Sequence, residues 1–258
     1  MTRLAWLLSE GSLDARVEQA RLAEGLGLAA VVVMPISGHE HDLPAWIDDA
    51  ASGTSRLELI AIATPVFDDH PVSLARRAAE LSDASGGRLV LGLGTGDAEA
   101  VDPGEGRVVP NWERMGRLQE AIPIVRTLLR GEVVDHGRPY HRVVGDRLTH
   151  PPAHPVPVWM LADGPSSAGM AARLAEGLVV EVADPGATLA EIVEPFRAAA
   201  PAGAPVLALV RAEPGAELDA VMPVVEALRP DRVAVGVSTR DPLAAMRSAA
   251  AALLPQLG

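Results

Sequence analysis

Three glycines and an acid follow an apolar run in the stretch GGRLVLGLGTGDAEA, which covers Gly86–Ala100. Gly92, Gly94 and Gly96 alternate along the chain, and Asp97 comes directly after them. An acid in apolar surroundings can hold and release a proton near neutral pH. Asp97 is therefore a candidate for general acid–base chemistry.

The spacing of these glycines does not fit a dinucleotide fingerprint. That fingerprint needs G-x-G-x-x-G after the first strand and an acid about 20 residues later. Two interpretations stay open for the stretch. Glycines at the end of a strand can let a flat ligand lie against bare backbone, or they can form a tight turn that leaves Asp97 solvated.

A second candidate is the segment DGPSSAG, which begins at Asp163 and lies between a predicted strand and a predicted helix. Pro165 suits the start of a helix, where exposed backbone N–H groups attract an anion. The hydroxyls of Ser166 and Ser167 can add donors. The pattern favours phosphate binding, and an ordinary helix cap is the alternative.

A third candidate is GHEHD, in which one residue separates His39 from His41. Two such histidines can share a face of a strand and suggest a metal ion, but no third ligand is evident nearby. We therefore expect a solvated loop and no metal site.

Several other polar residues favour structural roles. His70, before Pro71, predicts a helix cap, and Glu120 is expected to be solvated or paired within its own helix. The run GEVVDHGRPYHRV predicts a hairpin that turns at His136–Gly137. His136, Tyr140 and His141 on that hairpin could line a substrate lid, although such residues more often only pack the hairpin.

The elements that position these candidates follow from apolar runs that alternate with amphipathic segments in eight β–α units. The predicted strands are Leu4–Leu8, Ala29–Met34, Leu57–Thr64, Arg88–Leu93, Val158–Ala162, Gly177–Val182, Val206–Val210 and Arg232–Val237. The predicted helices are Leu13–Leu26, Leu43–Ala51, His70–Ala84, Trp112–Leu129, Ser166–Ala175, Thr188–Ala200, Glu217–Leu228 and Pro242–Leu254.

Strands that are apolar throughout are buried on both faces, which is typical of a parallel sheet. Eight even units in 258 residues favour a closed (β/α)8 TIM barrel over a doubly wound open sheet. We expect a single domain over residues 1–258. In such a barrel the C-terminal ends of the strands build the active site.

The composition excludes several kinds of site. There is no cysteine and no lysine, so thiolate chemistry, disulfides, Schiff bases and a phosphate-binding lysine are all excluded. A net charge of -12 argues against a nucleic-acid partner or an anionic membrane surface. The first residues lack the pattern of a signal peptide, and no apolar run is long enough to span a bilayer. We expect a cytoplasmic protein.

Three longer stretches resemble the bacterial luciferase-like monooxygenase superfamily, and within it the oxidoreductases that use the deazaflavin coenzyme F-420. They are LELIAIATPVFDDHPVSLARRAAELSDASGGRLVLGLGTGDA, ERMGRLQEAIPIVRTLLRGEVVDHGRPYHRV and PVPVWMLADGPSSAGMAARLAEGLVV. The motifs are individually loose, but their order and spacing agree. The likeness extends from about Leu4 to Val182, and the later segments are shorter than the family's usual late insertion.

The resemblance implies a luciferase-like barrel that binds F-420, or alternatively FMN, at its C-terminal mouth. Thr64 matches a cofactor-contacting threonine, and Thr95 with Gly96 matches further cofactor contacts. Ala61–Ile62 lies where the family often has a non-prolyl cis peptide packed on the ring.

The resemblance also implies roles for two further groups. Asp97 matches an acid that transfers protons in the sugar-phosphate dehydrogenase branch. The positions that match the family's phosphate-binding turn are Asp163, Gly164, Ser166 and Ser167.

One departure from the family concerns the end of strand two. The family usually has an acid–His or His–His pair there, and this chain has Pro35 and Ile36, neither of which can transfer a proton. Three alternatives follow. His39, Glu40 and His41 replace the pair, or Asp97 acts alone, or the barrel binds a ligand without turnover.

We therefore expect an oxidoreductase or monooxygenase that acts on a small organic substrate, with cofactor chemistry at the barrel mouth. The resemblance implies a homodimer that pairs through the helices after strands two and three. The alternative is a non-catalytic or cofactor-free barrel that serves as a ligand-binding or assembly subunit.

Overall fold

The structure, a computed structural model, describes residues 1–8, 13–34, 43–63, 70–96 and 106–257. Its strands are β1 (Arg3–Leu7), β2 (Ala30–Val33), β3 (Glu58–Ala63), β4 (Leu89–Leu93), β5 (Val134–Gly137), β6 (Arg142–Asp146), β7 (Val158–Leu161), β8 (Gly177–Glu181), β9 (Val206–Ala212) and β10 (Arg232–Val237). Its helices are α1 (Leu13–Gly25), α2 (Leu43–Gly53), α3 (Pro71–Ala84), α4 (Asn111–Leu129), α5 (Pro165–Leu174), α6 (Pro185–Thr188), α7 (Glu194–Ala199), α8 (Glu217–Leu228) and α9 (Pro242–Leu257).

Eight parallel strands close into a barrel in the order β1, β2, β3, β4, β7, β8, β9, β10. The closing pair is β1 with β10, which are in register from Arg3 and Arg232 to Trp6 and Val235. Helices follow the strands around the outside. The predicted (β/α)8 TIM barrel is confirmed.

Residues of the barrel strands divide between two apolar clusters. The inner cluster holds only strand residues, and these are Ala5, Leu7, Ala30, Val32, Ile60, Ile62, Val90, Trp159, Val179, Leu207, Leu209 and Ala234. The residues between them along the strands pack with the helices in a second, larger cluster. Because successive strand side chains alternate in direction, the inner cluster marks the positions that face the barrel interior.

An ion pair closes the N-terminal end of this interior. Arg232 donates from Nε to Glu58 Oε2 at 2.5 Å and from Nη2 to Glu58 Oε1 at 2.8 Å. The guanidinium also lies 5.0 Å from the ring centroid of Trp159. Its side chain is only 8% exposed, so the base of the barrel is filled by protein.

An antiparallel hairpin of β5 and β6 lies between α4 and β7. Gly137 pairs with Arg142, so the chain turns over residues 138–141 and the predicted turn at His136–Gly137 is wrong. Both His136 and Gly137 thus belong to β5, and the pairing with β6 shifts register between Val134 and His136.

Glu120 on α4 anchors the hairpin. Its Oε2 lies 3.1 Å from His136 Nε2 and accepts the backbone N–H groups of Tyr140 and His141 at 3.3 and 3.0 Å. The Glu120 side chain is 12% exposed, so the expectation that it is solvated is wrong. Burial lowers the pKa of His141, whose ring also packs edge-on against His70.

Between β8 and β9 the chain forms α6, a π-helical turn at Leu189–Val193, and α7. The predicted helix Thr188–Ala200 thus begins earlier, at Pro185.

Among the described residues, no helix is both long and apolar enough to cross a bilayer.

Candidate functional site

The glycines after strand β4 are packed against neighbouring side chains. A Cβ on Gly92 would lie 3.0 Å from Ile62 Cγ1, and one on Gly94 would lie 3.3 Å from Leu161 Cδ2. These glycines let Ile62 and Leu161 pack closely over the backbone. A flat ligand in the mouth would therefore meet the two side chains before it met the glycine backbone.

Thr95 and Gly96 lie just beyond the end of β4 and are both half-buried. Gly96 has a φ of +73°, in the left-handed region that favours glycine. The third glycine of the motif thus serves a backbone conformation that other residues rarely adopt. Asp97 is the next residue in the sequence.

Four of the predicted site residues lie outside the described residues. They are the candidate catalytic residues Asp97, His39 and His41 and the candidate cofactor contact Thr64. Within the described part of the chain, no three His, Asp or Glu side chains are grouped so that they could hold a metal ion.

The Ala61–Ile62 peptide is trans, as are all peptide bonds between described residues. The expectation of a cis bond at this point, taken from the resemblance, is therefore not met. Ala61 packs with the cluster that includes the helices, whereas Ile62 belongs to the inner cluster. Only Ile62 directs its side chain toward the barrel interior.

At the start of α5 the buried hydroxyl of Ser167 organises the turn. Its Oγ accepts the N–H groups of Asp163 and Gly164 at 3.0 and 3.1 Å. The same oxygen lies 2.8 Å from Asp163 Oδ1 and 2.9 Å from the carbonyl of Gly164, so its proton can be donated to either. Ser167 therefore uses its hydroxyl within the turn.

Other groups at the start of α5 are available to a ligand. Ser166 is exposed, and the N–H groups of the first helical turn have no acceptor within the helix. Asp163 is also exposed, and its carboxylate lies at the same turn. The turn can donate hydrogen bonds to an anion, but Asp163 opposes that anion by charge.

Two charged residues that sequence reasoning missed lie at the C-terminal ends of β8 and β9. Glu181 Oε1 and Arg211 Nη2 are 3.2 Å apart. Each residue comes two positions after a member of the inner cluster, Val179 or Leu209. A charge that ends a wholly apolar strand is the signal that could have found them, since strand ends form the site in this fold.

A second ionic cluster fixes the chain where α4 begins. Glu113 accepts two hydrogen bonds of 2.9 Å from Arg107 and one of 2.7 Å from Arg117. These bonds hold the pKa of the Glu113 carboxyl below its usual value. Trp112 beside it is 69% exposed, at a helix start on the C-terminal side of the barrel.

The comparison with protein families identifies one model, described as luciferase-like monooxygenase, which matches residues 1–222. An F420-dependent glucose-6-phosphate dehydrogenase of Amycolatopsis mediterranei is 34% identical over 172 residues, which are 63% of this chain and 52% of that protein. An F420-dependent hydroxymycolic acid dehydrogenase of Mycobacterium tuberculosis is 31% identical over 179 residues, 66% of this chain and 50% of that protein. The chain spans about half the length of these curated relatives.

Solved structures share the fold over most of the chain. An F420-dependent secondary alcohol dehydrogenase in complex with an F420-acetone adduct has a TM-score of 0.88 at 18% identity, covering 100% of this chain and 99% of that chain. A type II Baeyer–Villiger monooxygenase of Pseudomonas putida in complex with FMN has a TM-score of 0.63 at 18% identity, covering 81% of this chain and 66% of the other. At such identities the likeness shows the fold alone.

Proposed function

The chain belongs to the luciferase-like monooxygenase family, and from this premise we propose that it is an oxidoreductase that uses coenzyme F-420, or alternatively FMN. Its substrate is a small organic molecule bound at the C-terminal mouth of the barrel. The observation that carries the proposal is the identity shared with dehydrogenases named for their dependence on F420. The preference for F-420 over FMN rests on the same relatives.

The start of α5 fits the phosphate-bearing end of either cofactor. Ser166 and the N–H groups of the first helical turn would bind the phosphate, and Ser167 would keep the turn rigid. The negative charge of Asp163 repels the phosphate and lowers its affinity, but the hydrogen-bond donors of the turn remain. Asp163 and Gly164 have their own N–H groups engaged by Ser167 and would contribute only through the shape of the turn.

The ring of the cofactor would lie against Ile62, beside Thr95 and Gly96. The Ala61 backbone lies on β3, beside β4. The resemblance adds Thr64, which follows Ala63 in the sequence, to these contacts. When bound, the deazaflavin supplies hydride transfer, or the reduced flavin supplies oxygen activation. The chain contributes orientation and exclusion of water at this surface.

Proton transfer is assigned to Asp97, with His39 and His41 as the groups that replace the strand-two pair of the family. Asp97 follows Gly96 directly in the sequence, just after β4. The Asp97→Asn variant should lose at least a hundredfold in turnover while cofactor affinity stays within twofold. Equal turnover in that variant would exclude Asp97 from the mechanism, and Asp135→Asn on the hairpin is the matched control.

The binding test is a titration of the purified protein with F-420 and with FMN, followed by visible absorbance and fluorescence. Binding of F-420 in the micromolar range, tighter than that of FMN, is the expected result. If neither chromophore binds, the proposed function is wrong.

A second candidate function is a barrel that binds ligand without turnover. Pro35 and Ile36 favour it, because the family's proton-transferring pair is missing from the sequence at those positions. A bound chromophore that is never reduced or oxidised by a panel of alcohols, aldehydes and sugar phosphates would support this alternative.

The assembly and location form part of the proposal. The whole chain, residues 1–258, acts as one domain, and it works as a cytoplasmic homodimer that pairs through α2 and α3, as the family resemblance implies. The net charge of -12 disfavours nucleic acid as a partner. Light scattering after size exclusion measures the mass, and a mass near 27 kDa would contradict the dimer.

A further inference from the structure

The ion pair of Glu181 and Arg211 lies at the C-terminal end of the barrel, on strand positions that face its interior. Arg211 is in register with Gly236 on the neighbouring strand β10. A Cβ on Gly236 would lie 2.8 Å from Leu7 Cδ2, and Leu7 is a member of the inner cluster. Residues in register on adjacent parallel strands point to the same face, so Arg211 also points inward.

Within the described barrel strands, no other charged side chain takes such a position. Among the residues of the eight barrel strands, all of which are described, the inward-facing residues nearest the C-terminal ends are Leu7, Val32, Ile62, Gly92, Leu161, Glu181, Arg211 and Gly236. Arg211 is the one cation in this set and Glu181 the one carboxylate. Within the eight described barrel strands, inward-facing charge at the C-terminal ends is thus confined to β8 and β9.

Both side chains of the pair are exposed, so a ligand can replace Glu181 as the partner of Arg211. The side chains of Arg211 and Glu181 are 71% and 51% exposed, and a single hydrogen bond of 3.2 Å joins them. Exposed ion pairs of this kind contribute little to stability. The pair of Arg232 and Glu58 at the opposite end contrasts with it, because two hydrogen bonds and burial hold that arginine in place.

The position of Arg211 separates it from the proposed cofactor contacts. Those contacts follow β3, β4 and β7, which are consecutive around the barrel. Arg211 lies on β9, with β8 between it and β7. A ligand group at Arg211 therefore occupies the arc of the mouth that the cofactor leaves to the substrate.

We propose that Arg211 binds an anionic group of the substrate, a carboxylate or a phosphate monoester, and that Glu181 competes with that group for the guanidinium. This inference rests on the proposed function. A guanidinium can donate two parallel hydrogen bonds to a carboxylate or a phosphate, whereas Arg211 donates only one to Glu181. A ligand anion that accepts both bonds therefore binds Arg211 more strongly than Glu181 does. Because Glu181 competes for the guanidinium, only a substrate whose anionic group is placed to accept both hydrogen bonds displaces Glu181.

The test uses inorganic phosphate as the probe, titrated by calorimetry into the protein with and without saturating F-420. Removing the competitor in Glu181→Gln should tighten phosphate binding about three- to tenfold. Arg211→Gln should weaken it at least tenfold, and the double variant should behave like Arg211→Gln alone. Glu132→Gln, in the similarly exposed pair of Arg130 and Glu132, is the matched control and should change nothing beyond twofold.

Two results would overturn the proposal. Unchanged phosphate binding in Glu181→Gln, or full binding in Arg211→Gln, would show that Arg211 is not the anion site. A loss of F-420 affinity in Arg211→Gln as large as the loss of phosphate affinity would assign the anion to the cofactor. If the unmodified protein binds neither F-420 nor FMN, the proposed function fails, while the titrations without cofactor still decide whether Arg211 binds anions.

Discussion

The Ser167 hydroxyl lies 2.8 Å from the Asp163 carboxylate, so a buried donor and an exposed acid are joined at the first turn of α5. The neighbouring Ser166 is exposed and has no such role. Two adjacent serines of the same motif thus serve different purposes. Ser167 holds the turn, and Ser166 is left for a ligand.

The first prediction separates these two serines by substitution. Ser167→Ala should lower the free energy of unfolding by about 1–2 kcal/mol, because it removes the partner of two N–H groups and of a carboxylate. Ser166→Ala should leave stability within about 0.5 kcal/mol and weaken F-420 binding instead. Urea unfolding and fluorescence titration measure the two effects. The reverse pattern would show that Ser166 holds the turn and that Ser167 contacts the cofactor.

The second prediction concerns the charge of Asp163. Asp163→Asn keeps a side-chain acceptor for Ser167 but removes the charge that opposes an anion at α5. The affinity for F-420, relative to that for the same deazaflavin without its phosphate-bearing side chain, should rise about five- to tenfold. Asp135→Asn, a charge change on the hairpin, is the control. A ratio that stays constant in Asp163→Asn would mean that no phosphate binds at this turn.

Local pattern accounts for most of the fold. The strand Arg232–Val237 and the helix Glu217–Leu228 are predicted to the residue, because apolar periodicity and turn residues mark both ends. His70 is confirmed as a cap, with its Nδ1 accepting the N–H of Val72 at 3.4 Å. Such features depend on neighbours within a few residues.

Features that depend on residues far apart in the sequence cannot be predicted from local patterns. Glu120 is buried by His136 and Tyr140, which lie 16 and 20 residues away on a hairpin whose docking no local pattern specifies. Glu181 and Arg211 meet only through the register of β8 with β9, 30 residues apart. Gly92 and Gly94 suggested bare backbone, but Ile62 and Leu161 from other strands cover them.

The third prediction concerns the base of the barrel. Arg232→Met keeps the bulk of the side chain beside Trp159 but leaves the Glu58 carboxylate without its partner. Removing one member of a largely buried ion pair should cost about 3 kcal/mol, measured as the free energy of unfolding in urea. Arg130→Gln breaks an exposed pair and should cost less than about 0.5 kcal/mol. Similar costs for the two variants would contradict a stabilising role for the buried pair.

The fourth prediction follows from the lowered pKa of His141, for which burial is the main cause. Glu120 and the Arg117 carbonyl favour its charged form, whereas His70 and His136 oppose it. The unfolded chain binds the His141 proton below about pH 6.5 and the folded chain only at lower pH. The contribution of neutral His141 to the free energy of unfolding is therefore present in full above that pH and declines as the pH falls toward the pKa of His141 in the folded protein. Urea unfolding at pH 7.5 and 5.5 should show a smaller loss in His141→Gln than in the unmodified protein. The exposed His150→Gln control should retain the full loss, and an equal loss in all three proteins would exclude His141 as a source of the pH dependence.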